Sequence, residues 1–145
     1  MKKTVFANWG HARQGKSDTI KRIAQIILDN YPNATTDISP IDYSADITVI
    51  VSVDNLKIGI ESQGDPDSHL PDSLKKFSAD NCDIIICATR TSGGTVWAVQ
   101  KLSPMYEIIW VTNHRYDKET DSEKLNQFSA RQIFNLIQER IENKI

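Results

Sequence analysis

Hydrophobic and polar positions along the chain follow two rhythms. Compact β-branched and apolar runs occupy 4–8, 46–53, Leu56–Glu61, 83–88 and 107–112, and each predicts a strand. Between them the spacing changes to that of a helix. Over 16–29, Ile20, Ile23, Ala24, Ile27 and Leu28 share one face, and Lys21, Arg22 and Gln25 share the other. Tyr31-Pro32 ends this helix, because a proline disfavours helical backbone in the residue before it. Shorter helices are predicted over 73–79, capped by Asp72, and over 96–102. The C-terminal region is predicted in two pieces. The first spans 123–128. Ser129-Ala130-Arg131-Gln132 then reads as a capping box opening a helix to about residue 143, with Ile133, Leu136, Ile137 and Ile141 facing inward.

The resulting order is β-α-β-β-α-β-α-β-α. It predicts one domain over residues 1–145, an α/β three-layer sandwich with a mostly parallel five-stranded sheet and one antiparallel strand. Asp54-Asn55 between two strand runs predicts a tight hairpin, which makes the 46–53 strand the antiparallel one. The continuous apolar run Ile84-Ile85-Ile86-Cys87-Ala88 predicts a strand covered on both faces. Polar stretches 33–45 and 62–71 predict loops.

The first strand leads into Gly10-His11-Ala12-Arg13-Gln14-Gly15-Lys16-Ser17, which fits G-x-x-x-x-G-K-[ST]. The pattern sits between a strand and a helix, the context its chemistry needs. Glycines permit a backbone path that turns successive N–H groups toward an anion. The helix adds the positive end of its dipole. Lys16 is expected to reach β- and γ-phosphates and the Ser17 hydroxyl to ligate Mg²⁺, with residues 10–18, including Asp18, lining the phosphates. These residues resemble the P-loop NTPase superfamily, and the strand order resembles its Ras-like GTPase branch, without that fold's usual sixth strand.

In open α/β sheets ligands sit at the carboxyl ends of parallel strands. That rim holds Asn8-Trp9, 61–65, 89–92 and 112–115, together with the 33–45 loop at the start of the antiparallel strand. Asp54, Asn55, Asp83 and Glu107 fall at the opposite edge, which removes Asp83 as a metal carboxylate. Glu61 closes the strand expected beside the glycine-flanked loop and is the candidate metal-shell carboxylate or water activator. Glu61-Ser62-Gln63-Gly64 is similar to the D-x-x-G switch of GTPases. The resemblance implies a γ-phosphate contact at Gly64, a water-positioning role for Gln63 or Asp65, and a Mg²⁺-ligating threonine at Thr35 or Thr36, with Thr36 the one assigned. Arg13 and Arg90 are candidates to neutralise transition-state charge, and Arg90 is favoured because the resemblance implies that its strand adjoins the first. Gly93-Gly94 is either a second anion-approach loop or a helix start. Asn113-His114-Arg115-Tyr116-Asp117 stands where GTPases carry N-K-x-D. Asn113 matches, the lysine position is His114 and the aspartate comes one residue late, so Asn113 and Arg115 are the base-binding candidates and ATP is slightly favoured over GTP.

Composition narrows the classes. A formal net charge of −2 offers no electrostatic footprint for nucleic acid. No apolar stretch reaches a membrane span, and the run after Lys2-Lys3 is too short for a signal peptide, so a cytoplasmic protein is expected. Cys82 and Cys87 suggest neither zinc nor a redox pair. Trp9, Trp97 and Trp110 are expected in the core or partly buried, and His69 and His114 at the surface. The expected function is Mg²⁺-dependent binding of ATP or GTP with hydrolysis of the β–γ bond. A kinase passing the γ-phosphoryl group to a small molecule, and a nucleotide-dependent switch meeting a protein partner through loops 33–45 and 62–71, are the alternatives.

Overall fold

The computed structural model describes residues 1–11, 15–65, 68–114 and 122–145. The chain runs β1 (Thr4–Trp9), α1 (Lys16–Asn30), β2 (Thr35–Thr36), β3 (Thr48–Val53), β4 (Leu56–Glu61), α2 (Leu70–Ala79), β5 (Ile84–Thr89), α3 (Gly94–Gln100), β6 (Glu107–Val111) and α4 (Ser122–Ile141). The strands form one six-stranded sheet in the order β2-β3-β4-β5-β1-β6. Pairing is parallel from β4 to β6 and antiparallel on both sides of β3, so β3 alone runs against the others.

Strand alternation divides the interior into two cores. Phe6, Ile58, Ile60, Ile84 and Ile86 face α1 and α4, where Ile20, Ile23, Ile27, Ile133, Phe134 and Ile137 cover them. Val5, Ala7, Ile85 and Cys87 face the other layer, built on Leu70, Leu74 and Phe77 of α2 and Val99 of α3. β5 is buried along its whole length, as its unbroken apolar run predicts. The hairpin also forms as expected: Val53 pairs with Leu56, and Asp54 takes a left-handed φ of 52°. No helix among the described residues is long and apolar enough to cross a membrane.

Five expectations need correction. The sheet has six strands because Thr35 and Thr36, assigned to a loop, pair with Ser52 and Val51 at its edge. A two-residue strand carries no periodicity, so only the tertiary pairing reveals it. α2 starts at Leu70 and includes Pro71, whose missing N–H costs nothing in a first helical turn. α3 spans 94–100, two residues earlier than expected, because Gly93 turns the chain at a φ of 88° and Gly94 already begins the helix. α4 is one continuous helix; Ser129 is buried inside it and its Oγ accepts the His114 N–H at 2.8 Å. Trp97 is 63% exposed, and Trp9 and Trp110 are 38% exposed, so the tryptophans do not build the core. The Ile, Val and Phe positions fill it instead.

Gly59 shows how tightly the second core closes. A Cβ there would stand 2.5 Å from the Phe77 ring. Gly59→Ala is expected to lower the unfolding free energy by about 1–3 kcal/mol. Denaturant titration measures this, and Phe77→Leu in the same chain should return part of the loss.

Candidate functional site

Gly10 follows β1 directly, and its N–H donates to Thr89 O at the end of β5 (3.1 Å). Lys16 closes the same junction from the far side of the loop. Its ammonium donates to Gly10 O (2.5 Å) and to Thr89 O (2.8 Å). The side chain is 7% exposed. Burial lowers its pKa from 10.5 to about 8, and the Arg90 guanidinium adds to the depression while Asp65 opposes it. A cation is thus held at the carboxyl ends of the neighbouring strands β1 and β5, with two of its three N–H groups donated to backbone oxygens.

Beside it lies a cleft of about 370 Å³, within the range of small-ligand sites. Gly15, Lys16 and Ser17 form one wall, and Asp46, Ser62 and Gly64 the other. Ser17 Oγ donates to Asp46 Oδ1 (2.5 Å), and Ser62 Oγ donates to the same oxygen (2.8 Å). Asp46 is steadied by its neighbours. Ile47 N–H donates to Ser62 Oγ (2.8 Å), and Ser62 N–H donates to Ile47 O (3.0 Å), joining the approach to β3 to the end of β4. Gly64 lies so close to β5 that a Cβ would stand 2.4 Å from Ala88 O, so only glycine fits. Lys21, one turn beyond Ser17, also borders the cleft and donates to Tyr43 O (3.3 Å).

The residues expected from sequence divide into groups. Gly15, Lys16, Ser17, Asp18, Gln63, Gly64 and Asp65 meet at the cleft, and Gly10 is joined to it through its carbonyl, which accepts from Lys16. Arg90 stands at the rim, where Nε and Nη2 both reach Asp65 Oδ1 at 3.0 Å. His11 is exposed at the start of the loop. Ala12, Arg13, Gln14 and Arg115 lie outside the described residues.

Glu61 is not brought to the cleft. Ile58 and Ile60 take the α1 side of β4, so alternation turns Glu61 toward α2. There its carboxylate is buried, accepting from Thr48 Oγ1 (2.8 Å), Ser73 Oγ (2.6 Å) and Gln63 N–H (3.1 Å). Thr36 is also elsewhere. It pairs with Val51 in β2, and its hydroxyl donates to Ile38 O (2.7 Å). Asn113 sits inside a network of side chains. Its Oδ1 accepts from Asn8 Nδ2 (2.7 Å), and its Nδ2 donates to Thr19 Oγ1 (2.8 Å). Gly93-Gly94 forms the start of α3, and Thr95 Oγ1 just beyond accepts the Arg90 N–H (3.0 Å). Asp83 is at the opposite edge, as expected, accepting Lys57 N–H (2.9 Å).

Asp46 is the residue that sequence reasoning missed. The signal was present, because the first residue of an antiparallel strand shares a rim with the last residues of its parallel neighbours. The expected rim stopped at residue 45, one position short. No protein-family model, curated protein or solved structure matches this chain.

Lys16 makes the site's pH behaviour testable. Below about pH 8 the side chain is charged in both the folded and the unfolded chain, and the cost of burying the charge is fully present. Between about 8 and 10.5 the folded chain has released this proton while the unfolded chain keeps it, so folding gains stability as pH rises. The stability difference between wild type and Lys16→Met should therefore shift in favour of wild type across that window. Denaturant titrations at pH 7.5 and about 10 read the change, and a constant difference would contradict the depressed pKa.

Proposed function

We propose that this protein binds a nucleoside triphosphate with Mg²⁺, ATP or GTP, through a P-loop NTPase fold, and hydrolyses the β–γ phosphate bond. The observation that carries the reading is the convergence of the Lys16 ammonium, the Ser17 hydroxyl and the Asp46 carboxylate at one cleft. The strand–loop–helix setting of 10–17 supports it independently.

The donor set fits the metal. Mg²⁺ takes oxygen ligands, keeps several waters, and uses one or two carboxylates beside phosphate oxygens. Ser17 Oγ, Asp46 Oδ1 and Ser62 Oγ are such oxygens, already gathered within hydrogen-bond distance, and they are the residues that would hold it. Mg²⁺ bound there would neutralise charge on the β- and γ-phosphate oxygens.

The chain's own residues do the rest by position. Lys16 exchanges its backbone acceptors for phosphate oxygens, which restores full charge to a depressed amine. Gly15 and the first turn of α1 offer N–H groups and the positive helix end. Gln63 and Asp65 border the cleft and orient the attacking water. Water attacks the γ-phosphorus, the bond to the β–γ bridging oxygen breaks, and nucleoside diphosphate and inorganic phosphate leave with release of a proton. Arg90, beside Lys16, offsets charge on the transferred group.

One observation favours a switch as a second reading. The segment before β3 is tied to the cleft through Asp46 to Ser17 and through Tyr43 O to Lys21. A bound metal–phosphate group competes for these same atoms, so occupancy would alter how that segment is held.

Titration of ATP and GTP with Mg²⁺ into wild type and Lys16→Ala tests the main reading. Wild type should bind at least one of them, and Lys16→Ala should bind about a hundredfold more weakly. Asp46→Asn should remove most of the dependence of affinity on Mg²⁺. Absence of binding to wild type would refute the proposal, and unchanged binding by Lys16→Ala would refute the site. For the switch, limited proteolysis over 37–46 should slow or quicken when Mg²⁺ and nucleotide are added together, and an unchanged cleavage pattern would exclude it.

A further inference from the structure

Asn126 lies on α4, more than a hundred residues after Gly15, yet its side chain stands against that glycine. Gly15 takes a φ of +76°, and a Cβ there would be 2.4 Å from Asn126 Oδ1 and 2.6 Å from Nδ2. The amide therefore rests directly on the turn that aims the following N–H groups. Asn126 Nδ2 also donates to Asp18 Oδ2 in the first turn of α1 (3.0 Å). Arg22 Nε reaches the same oxygen at 2.8 Å, and Arg22 Nη1 continues to Gln127 Oε1 at 3.1 Å. Asn126 is 8% exposed, within a polar cluster that also joins Asn8, Asn113 and Thr19 at the ends of β1 and β6.

We infer that Asn126 is a positioning residue for anion binding: it presses on Gly15 and holds the Asp18 carboxylate aside, and so sets phosphate affinity without touching phosphate. The inference rests on the phosphate-binding reading above. Two physical effects carry it. Anion binding by backbone N–H groups depends on their direction, and here the direction is set at a left-handed glycine whose outer face is the Asn126 amide. A carboxylate in the first turn repels a bound triphosphate unless hydrogen bonds fix where it points, and Asn126 and Arg22 supply those bonds.

Calorimetric titration of inorganic triphosphate with Mg²⁺ into the full chain tests this without depending on the base. Asn126→Ala should bind about tenfold more weakly than wild type, the loss of one hydrogen bond to a charged group. Asn126→Asp keeps the shape but sets a second carboxylate against Asp18, and should bind about a hundredfold more weakly. Asn126→Ser retains a hydroxyl at the site and should lie between wild type and Ala, providing a mild variant that folds. Ile137→Ala, in the apolar part of the same helix, should lower the thermal midpoint and leave affinity unchanged. The order wild type, Ser, Ala, Asp with an unaffected Ile137→Ala is the expected result. Equal binding by wild type and the Asn126 variants would overturn the inference alone. A loss by Ile137→Ala matching that of Asn126→Ala would also overturn it, because general loosening of α4 would then explain both. Failure of wild type to bind would overturn the phosphate-binding reading and this inference with it.

Discussion

A buried ammonium holds the middle of this structure together. Lys16 donates to Gly10 O and Thr89 O, while Gly10 N–H donates to that same Thr89 O. Three groups thus close around the point where β1 leaves the sheet and β5 ends. Burying a charge is costly unless it is hydrogen-bonded, and the two carbonyls offset much of that cost. The remaining penalty appears as a lowered pKa. A cation in this condition is ready for a stronger acceptor, and an anionic ligand supplies one. Under the proposed reading, a bound phosphate would draw on the same cation whose burial lowers the Lys16 pKa.

The sheet's mixed direction completes the cleft. Were β3 parallel to β4, its first residues would lie at the far edge. Running antiparallel, it brings Asp46 to the rim where Ser17 and Ser62 meet it. The hairpin at Asp54-Asn55, at the other end of the sheet, is what places a carboxylate beside the Ser17 hydroxyl. A turn chosen by backbone chemistry therefore governs the chemistry of a site a full strand away.

The polar cluster of Asn8, Asn113, Asn126, Thr19 and Asp18 serves a related end. It occupies the seam where β1, β6, α1 and α4 meet, just beyond the apolar core they share. Apolar packing sets the distance between α1 and α4. Directional contacts from the Asn126 amide add to it at Gly15 and Asp18, where α1 begins.

The amino-acid pattern alone determined the coarse α/β class, the two-sided burial of β5, the hairpin, and the placing of Asp83 at the edge away from the cleft. Each depends on periodicity, turn residues or strand direction, which are local properties. Tertiary structure decided the rest. β2 exists because β3 offered it an edge. Ser129, polar enough to suggest a cap, stays within α4 because the His114 N–H needs an acceptor there. Glu61 left its expected place because alternation turns every second β4 side chain toward α2, and no local signal says which layer lies on which side. Asn126 was invisible for the same reason. Its partners Gly15 and Asp18 are distant in the chain, and only the packing of α4 on α1 brings them within reach.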